Sequence, residues 1–438
     1  MLSPLTHPVY RHLFLAQVLS LVGTGLATVA LGLLAYKLAG AEAGAVLGTA
    51  LAIKMVAYVG IAPVAGAFVH LVPRRTLLVT LDLVRAAVAL VLPFVTEIWQ
   101  IYVLIFVLQS CSAAFTPTFQ ATIPDVLPEE AEYTKALSLS RLAYDLESLA
   151  SPALAAALLT VISFNWLFAG TALGFLASAA MVVSVVLPSP RPPERAESAW
   201  GRTTRGARIY LATPRLRGLL ALNLAVAAAG AMVIVNTVVL VKANLGLGDR
   251  EVAWALAAYG SGSMLAALVL PRLLSELPDR PIMLAGAGIL AVGMAIGPFA
   301  SQALPTLLAL WCLLGVGNGM ALTPSGRLLR RSAHPGDRPA LFAAQFALSH
   351  ASWLLTYPLA GWLGAGRGTG TTFALLAAVT ATGVALAVVV WPKRDAEEVE
   401  HAHADLPPDH PHLTGTDGAR HHRHAYVIDD LHHSWPGR

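Results

Sequence analysis

The chain has 438 residues, 56% of them hydrophobic and only 12% charged, about half the charged share of a soluble domain. Such a chain has too little polar surface to cover its own cores in water, so a soluble multidomain enzyme is excluded and an apolar solvent is required. The net charge is +4. Cys111 and Cys312 stand far apart in apolar runs, which excludes a disulfide framework and a Cys-x2-Cys zinc site. No GxxxxGK[ST] occurs, so an ATP site of the Walker A type is excluded as well.

A spanning helix needs about 20 mostly apolar residues. In chain order the sequence predicts twelve, at 12–36, 45–69, 76–96, 99–119, 137–161, 164–187, 216–241, 252–273, 281–301, 303–326, 341–365 and 370–392. The first is longer than the apolar core of a signal peptide and is expected to stay uncleaved. The expected fold is therefore all-α and integral to the membrane. Six spans lie in 1–187 and six in 215–392, joined by a linker rich in Pro, Arg and Glu at 188–214 and followed by a tail at 393–438. With the N-terminus inside, the cytoplasmic segments hold 22 of the 29 Lys and Arg, three lie within spans, and only Lys37, Lys242, Arg250 and Arg367 are left for the opposite face. The bias of basic residues toward the cytoplasm then puts both termini there. The basic patches read as topological anchors, with the lipid bilayer and not nucleic acid as the partner.

An ionisable residue within hydrocarbon is costly and thus a functional candidate. The spans hold Lys54, Asp82, Arg85, Arg141, Asp145, Glu147 and His350. Asp82 and Arg85 are spaced i,i+3 and Arg141 and Asp145 i,i+4, so each pair can neutralise itself on one helix face. Glu147 points about 200° round the helix from Asp145, and Lys54 has no acid at helical spacing on its own span. A Lys54–Glu147 pair across two helices is the economical expectation. His350 shares its face with Gln345, Ser349, Trp353 and Tyr357 and is either a structural imidazole or a ligand. The proton-coupling or substrate candidates are thus Glu147, Asp145, Lys54, His350 and Asp82.

The tail holds nine of the 14 His, at His401, His403, His410, His412, His421, His422, His424, His432 and His433, together with nine acidic residues. Neutral imidazoles in such clusters suit late divalent metals such as Ni2+, Co2+, Cu2+ and Zn2+. Low hydrophobicity argues against an independent fold for the tail, and 401–424 is expected to stay mobile. Val427, Ile428, Leu431 and Trp435 form an apolar stripe that predicts docking of 425–435 on the cytoplasmic face of the helix bundle or on the membrane.

Six spans, a long basic linker and six more resemble the major facilitator superfamily. Its signature loop is Gly-x3-Asp-Arg-x-Gly-Arg-Arg, and here it reads Gly66-x3-His70-Leu71-Val72-Pro73-Arg74-Arg75. The acid that joins the family's cytoplasmic latch is replaced by His70. The family's antiporter motif in span five, Gly-x3-Gly-Pro-x2-Gly-Gly, reads Glu147-x3-Ser151-Pro152-x2-Ala155-Ala156. Phe115-Thr116-Pro117 and Ile123 through Glu130 are similar to an efflux branch of siderophore, macrolide and nickel exporters. Ser138–Asp145, Glu147–Pro152 and the His-rich tail resemble nickel-resistance permeases. The resemblance implies gate roles for Gly66, His70, Arg74, Arg75, Arg85, Arg141 and Pro152. It also implies a bacterial inner-membrane location.

The leading expectation is a monomeric antiporter, not an enzyme and without a resident cofactor, that exports Ni2+ or Co2+ against protons. Exporting a dication from a negative-inside cell costs about 4.6 kcal/mol per 100 mV, which two entering protons offset. The alternatives are a proton-coupled exporter of a drug or siderophore with a regulatory metal-binding tail, and a metal receptor that does not transport.

Overall fold

A computed structural model describes residues 3–68, 72–187, 199–334, 337–393, 395, 398–402, 421–429 and 431–435. Thirteen helices and two short strands carry the description. In chain order the helices are α1 Pro8–Ala39, α2 Ala43–Phe68, α3 Arg74–Val91, α4 Ile98–Val126, α5 Glu130–Leu158, α6 Asn165–Val183 and α7 Ala199–Ala212. They continue with α8 Pro214–Val238, α9 Asp249–Glu276, α10 Asp279–Ala300, α11 Leu304–Leu322, α12 Ser325–Arg330 and α13 Arg338–Val390. Among the described residues nine stretches are long and apolar enough to cross a membrane. Pro8–Ile61 is one such stretch and contains α1 and most of α2; α5 is absent from the nine. The expected spans 341–365 and 370–392 are two helices grouped here as α13, which meet at a kink at Gly368, whose φ of 80° is open to glycine alone at little cost.

Helices α1 to α6 pack mainly on one another, and α8 to α13 do the same. Contacts between α2 and α13 and between α5 and α9 join the two groups. Nearly every residue of α8 is buried, as expected of a helix apolar all round at the centre of its group. Large apolar side chains on the outer helices remain uncovered, among them Phe94, Trp99, Trp166, Phe299 and Trp362. A belt of this kind is a surface for acyl chains and not for water.

Two elements depart from the sequence reading. The linker contains α7, whose Ile209 and Tyr210 are buried against α8 and α13, while Arg205 pairs with Asp337 at 2.6 Å. The expected mobility of 401–424 does not hold at the two ends of that range, and residues 403–420 lie outside the described residues. Strands β1 Glu398–Ala402 and β2 His421–Ala425 pair antiparallel, with His401 opposite His422. The physical reason is the partner surface. Tyr426, Ile428 and Trp435 join a cluster with Tyr210, Leu216 and Trp391, so the apolar stripe of 425–435 docks on the helix ends and holds β2 in place. Leu431 of that stripe stays exposed.

Candidate transport site

Lys54 and Tyr58 stand one turn apart on α2, and the ammonium sits 5.8 Å from the tyrosine ring centroid. That spacing suits a cation over a π face. The Tyr58 ring stacks on the His350 imidazole of α13 at 5.5 Å with an interplanar angle of 7°. Phe346 meets both rings, with its centroid 3.9 Å from that of His350 and 5.9 Å from that of Tyr58. His350 Nδ1 lies 2.7 Å from the Phe346 carbonyl oxygen. A carbonyl only accepts, so Nδ1 carries the proton and Nε2 keeps its lone pair.

Glu147 reaches this cluster from α5. Its charge and that of Lys54 act on each other, though no ion pair within 4.0 Å links them among the described residues. The expected direct pair is thus an electrostatic coupling across α2 and α5. Gly25 of α1 makes room for the carboxylate. A Cβ there would collide with Ser151 and lie 2.6 Å from Glu147 Oε1. One turn before Glu147, the Tyr144 hydroxyl lies beside Thr116 of α4 and Gln17 of α1. Gln17 Oε1 and Ser151 Oγ are buried and make no hydrogen bond among the described residues. The surroundings of Glu147 therefore hold polar capacity not spent on packing.

Of the other candidates, Arg85 acts electrostatically on Tyr58 and Tyr144 of this cluster. Asp82 and Arg85 form a fully buried ion pair on α3. The second Asp82 oxygen accepts from Ser178 Oγ at 2.7 Å, and the guanidinium lies between the rings of Phe115 at 4.3 Å and Phe175 at 4.5 Å. This arrangement ties α3, α4 and α6 together. Arg74, in the position of the family's loop arginine, pairs with Asp125 of α4 at 2.7 Å, and Arg75 donates to the Val183 carbonyl. Gly66 ends α2 within its last turn, and Pro152 lies inside α5. His70, His403, His410 and His412 lie outside the described residues, as do the side chains of Arg141, Asp145, His421 and His422. Cys111 and Cys312 are free thiols and half-buried.

Tyr58, Phe346, Tyr144 and Gly25 belong to the site and escaped the sequence reading. Tyr58 had a legible signal, since it follows the midplane Lys54 by one turn. Gly25 had none, because only the approach of α5 gives that glycine its role.

In the tail, one ring nitrogen from each of His401, His424 and His432 lies within 4.8 Å of the others, a grouping able to hold a metal ion. His433 points outward and is exposed.

The sequence matches the Major Facilitator Superfamily over residues 13–239 and again over 219–424. The chain belongs to this superfamily. It is a multi-pass membrane protein of the secondary-carrier class rather than an enzyme. It is 26% identical over 248 residues to the uncharacterized transporter YfiS of Bacillus subtilis (strain 168), covering 55% of this chain and 58% of that protein. It is 28% identical over 152 residues to macrolide efflux protein A of Streptococcus pyogenes, covering 32% and 37%. Both matches thus span less than two thirds of the relatives' lengths.

Solved structures share the fold. A bacterial homolog of the human lysosomal transporter Spinster, in an inward-facing and unoccupied conformation, aligns with a TM-score of 0.64 at 13% identity, over 87% of this chain and 94% of that one. The nucleoside transporter NupG aligns with a TM-score of 0.65 at 11% identity, over 87% and 98%.

Proposed function

We propose that this carrier exports a small aromatic or amphipathic organic compound from the cytoplasm in exchange for protons. The observation that carries the reading is the cluster of Lys54, Tyr58, Phe346 and His350 across the α2–α13 contact, with Glu147 coupled to it from α5. Stacked rings offer a platform for an organic ring system, and a carboxylate among polar groups offers a proton site. The partial match to macrolide efflux proteins supports the same substrate class. In this reading α1 to α6 and α8 to α13 supply twelve spans in two halves of six, the linker 188–214 connects them, and both termini lie in the cytoplasm of a bacterial cell. Glu147 carries the proton, Lys54 senses its charge state, and the halves rock around the cluster.

A second reading, export of Ni2+ or Co2+, is favoured by the Nε2 lone pair that the His350 tautomer leaves and by the histidines of the tail. Proteoliposomes with an acidic lumen separate the two. Protons leaving down their gradient should draw in a macrolide or another lipophilic drug on the first reading, and Ni2+ on the second. Movement of Ni2+ without any organic compound would replace the first reading with the second. If a broad panel of both classes stays outside under a sustained gradient, neither stands.

A further inference from the structure

We infer that His401, His424 and His432 form a binding site for a late first-row divalent cation of the Zn2+ or Co2+ kind, and that the bound ion pins the tail to the helix ends of α8, α12 and α13. The inference stands apart from the transport reading, because it concerns the tail alone and holds whatever substrate crosses the membrane.

The geometry begins with ring tautomers. His401 Nδ1 lies 3.0 Å from the Val399 carbonyl oxygen, and His424 Nδ1 lies 2.8 Å from the carbonyl of Ala425. His432 Nδ1 lies 2.8 Å from Asp429 Oδ1. Each oxygen is an acceptor, so each Nδ1 carries the proton and each Nε2 a lone pair. His401 Nε2 and His432 Nε2 face one another at 3.0 Å. A divalent cation lying against both nitrogens would accept two lone pairs at that distance. Nitrogens bound to one tetrahedral zinc at about 2.0–2.1 Å stand roughly 3.3–3.5 Å from each other. The facing pair is already near that separation, and a small shift of the His424 ring, 4.7 Å and 5.3 Å from the other two by centroid, completes the set.

The surroundings are those of a built site. Metal-bound histidines usually direct their second nitrogen at a carbonyl or carboxylate, which fixes the ring and strengthens the ligand, and all three rings do so here. The Asp429 carboxylate is itself held in place by the backbone N–H groups of Leu431 and His432. Those backbone donors reach Oδ1 at 2.8 and 2.7 Å. Its other oxygen meets His334 Nε2 at 3.1 Å, in the segment that follows α12.

The ligands come from β1, β2 and the loop after β2, so one ion would clip together three stretches of a chain that has little apolar surface of its own. Closing loops in this way converts binding energy into folding energy. The clipped unit rests on the transporter through Tyr426, Ile428 and Trp435, the last at 5.0 Å from the Arg215 guanidinium.

The test uses the full-length protein in detergent, stripped with a chelator and titrated with Zn2+ and with Co2+, whose visible absorption reports a tetrahedral nitrogen site. One tight equivalent per chain is expected, with protection of the bond after Arg423 from trypsin. Replacing His401, His424 and His432 together by Ala should weaken the tight equivalent at least 100-fold and abolish protection, whereas His403, His410 and His412 replaced together should change neither. Asp429→Asn should cost about tenfold in affinity. Unaltered binding without the first three histidines would assign the metal elsewhere. No tight equivalent at all would mean that the facing nitrogens share a proton, and tight binding without protection would refute the pinning; either result overturns the proposal.

Discussion

Glu147 and Lys54 set the residue-scale logic, because each acts on the charge of the other and no ion pair within 4.0 Å links them among the described residues. An acid held by a direct salt bridge would resist protonation, whereas one held at a distance can still exchange its proton when the bundle rearranges. Glu147→Gln keeps the volume and polarity of the side chain and removes the proton site. It should abolish transport driven by a pH gradient while preserving substrate counterflow across vesicles at equal pH. Gradient-driven transport at the parent rate would remove Glu147 from the mechanism. The aromatic cluster makes a separate prediction. Tyr58→Leu should raise the half-saturating substrate concentration roughly 3- to 10-fold, the worth of one stacked aromatic contact of about 0.5–1.5 kcal/mol, while Tyr58→Phe should leave it near the parent value. His350→Ala tests the ligand role of the imidazole. A shift in half-saturation at normal expression supports it, and lost thermal stability alone assigns the residue to packing.

At the scale of elements, glycines let α2 and α13 of the two helix groups approach closely. A Cβ at Gly48 of α2 would come 2.6 Å from the Tyr357 carbonyl of α13, and Gly361 packs its backbone on Gly44. Trp362 Nε1 donates to Thr49 Oγ1 at 3.1 Å across the same seam, and Asn236 Nδ2 of α8 donates to the Ala360 carbonyl at 3.0 Å. The seam lies at the end of the bundle opposite the chain termini, since α1 runs from residue 8 to 39 before α2 begins. Small residues permit such contacts in membranes, where no hydrophobic force presses helices together. Gly361→Leu should therefore wedge α2 from α13 and open that end. A cysteine placed at Tyr58 should then react faster with an impermeant thiol reagent added from that side. An unchanged labelling rate would show that the seam is not the barrier.

At the scale of the whole molecule, the tail is anchored by charge as well as by apolar contact. Asp395 pairs with Arg331 and lies 3.3 Å from Arg215, and it accepts from Trp391 Nε1 at 3.1 Å. Arg215 is buried at the start of α8, so removing a carboxylate from its surroundings is expensive. Asp395→Ala should cost about 3 kcal/mol, the lower range for breaking a buried ion pair, and should appear as a lowered melting temperature in detergent. Truncation after Lys393 should cost at least as much, because the apolar cover of Tyr426 and Ile428 goes with it. A truncated protein as stable as the parent would mean that the docked tail contributes nothing to the helices beneath it.

Composition and hydropathy by themselves determined that this chain lives in lipid, and apolar length placed most helices within a few residues of where they lie, because a spanning segment must satisfy its backbone within itself. The same reasoning singled out Lys54, Glu147 and His350, since a charge or imidazole in an apolar run stands out in one dimension. It also found the apolar stripe at 425–435, whose period is local. What only the tertiary structure decided is which of these residues meet. The stacking of Tyr58 on His350, the space that Gly25 leaves for Glu147 and the hold of Asp82 on Ser178 each join helices far apart in sequence. The tail shows the limit most clearly. Its polar composition argues for a mobile segment, yet β1 and β2 pair because helix ends from α7, α8 and α13 supply the apolar surface that the tail lacks, and that surface exists only once the bundle has formed.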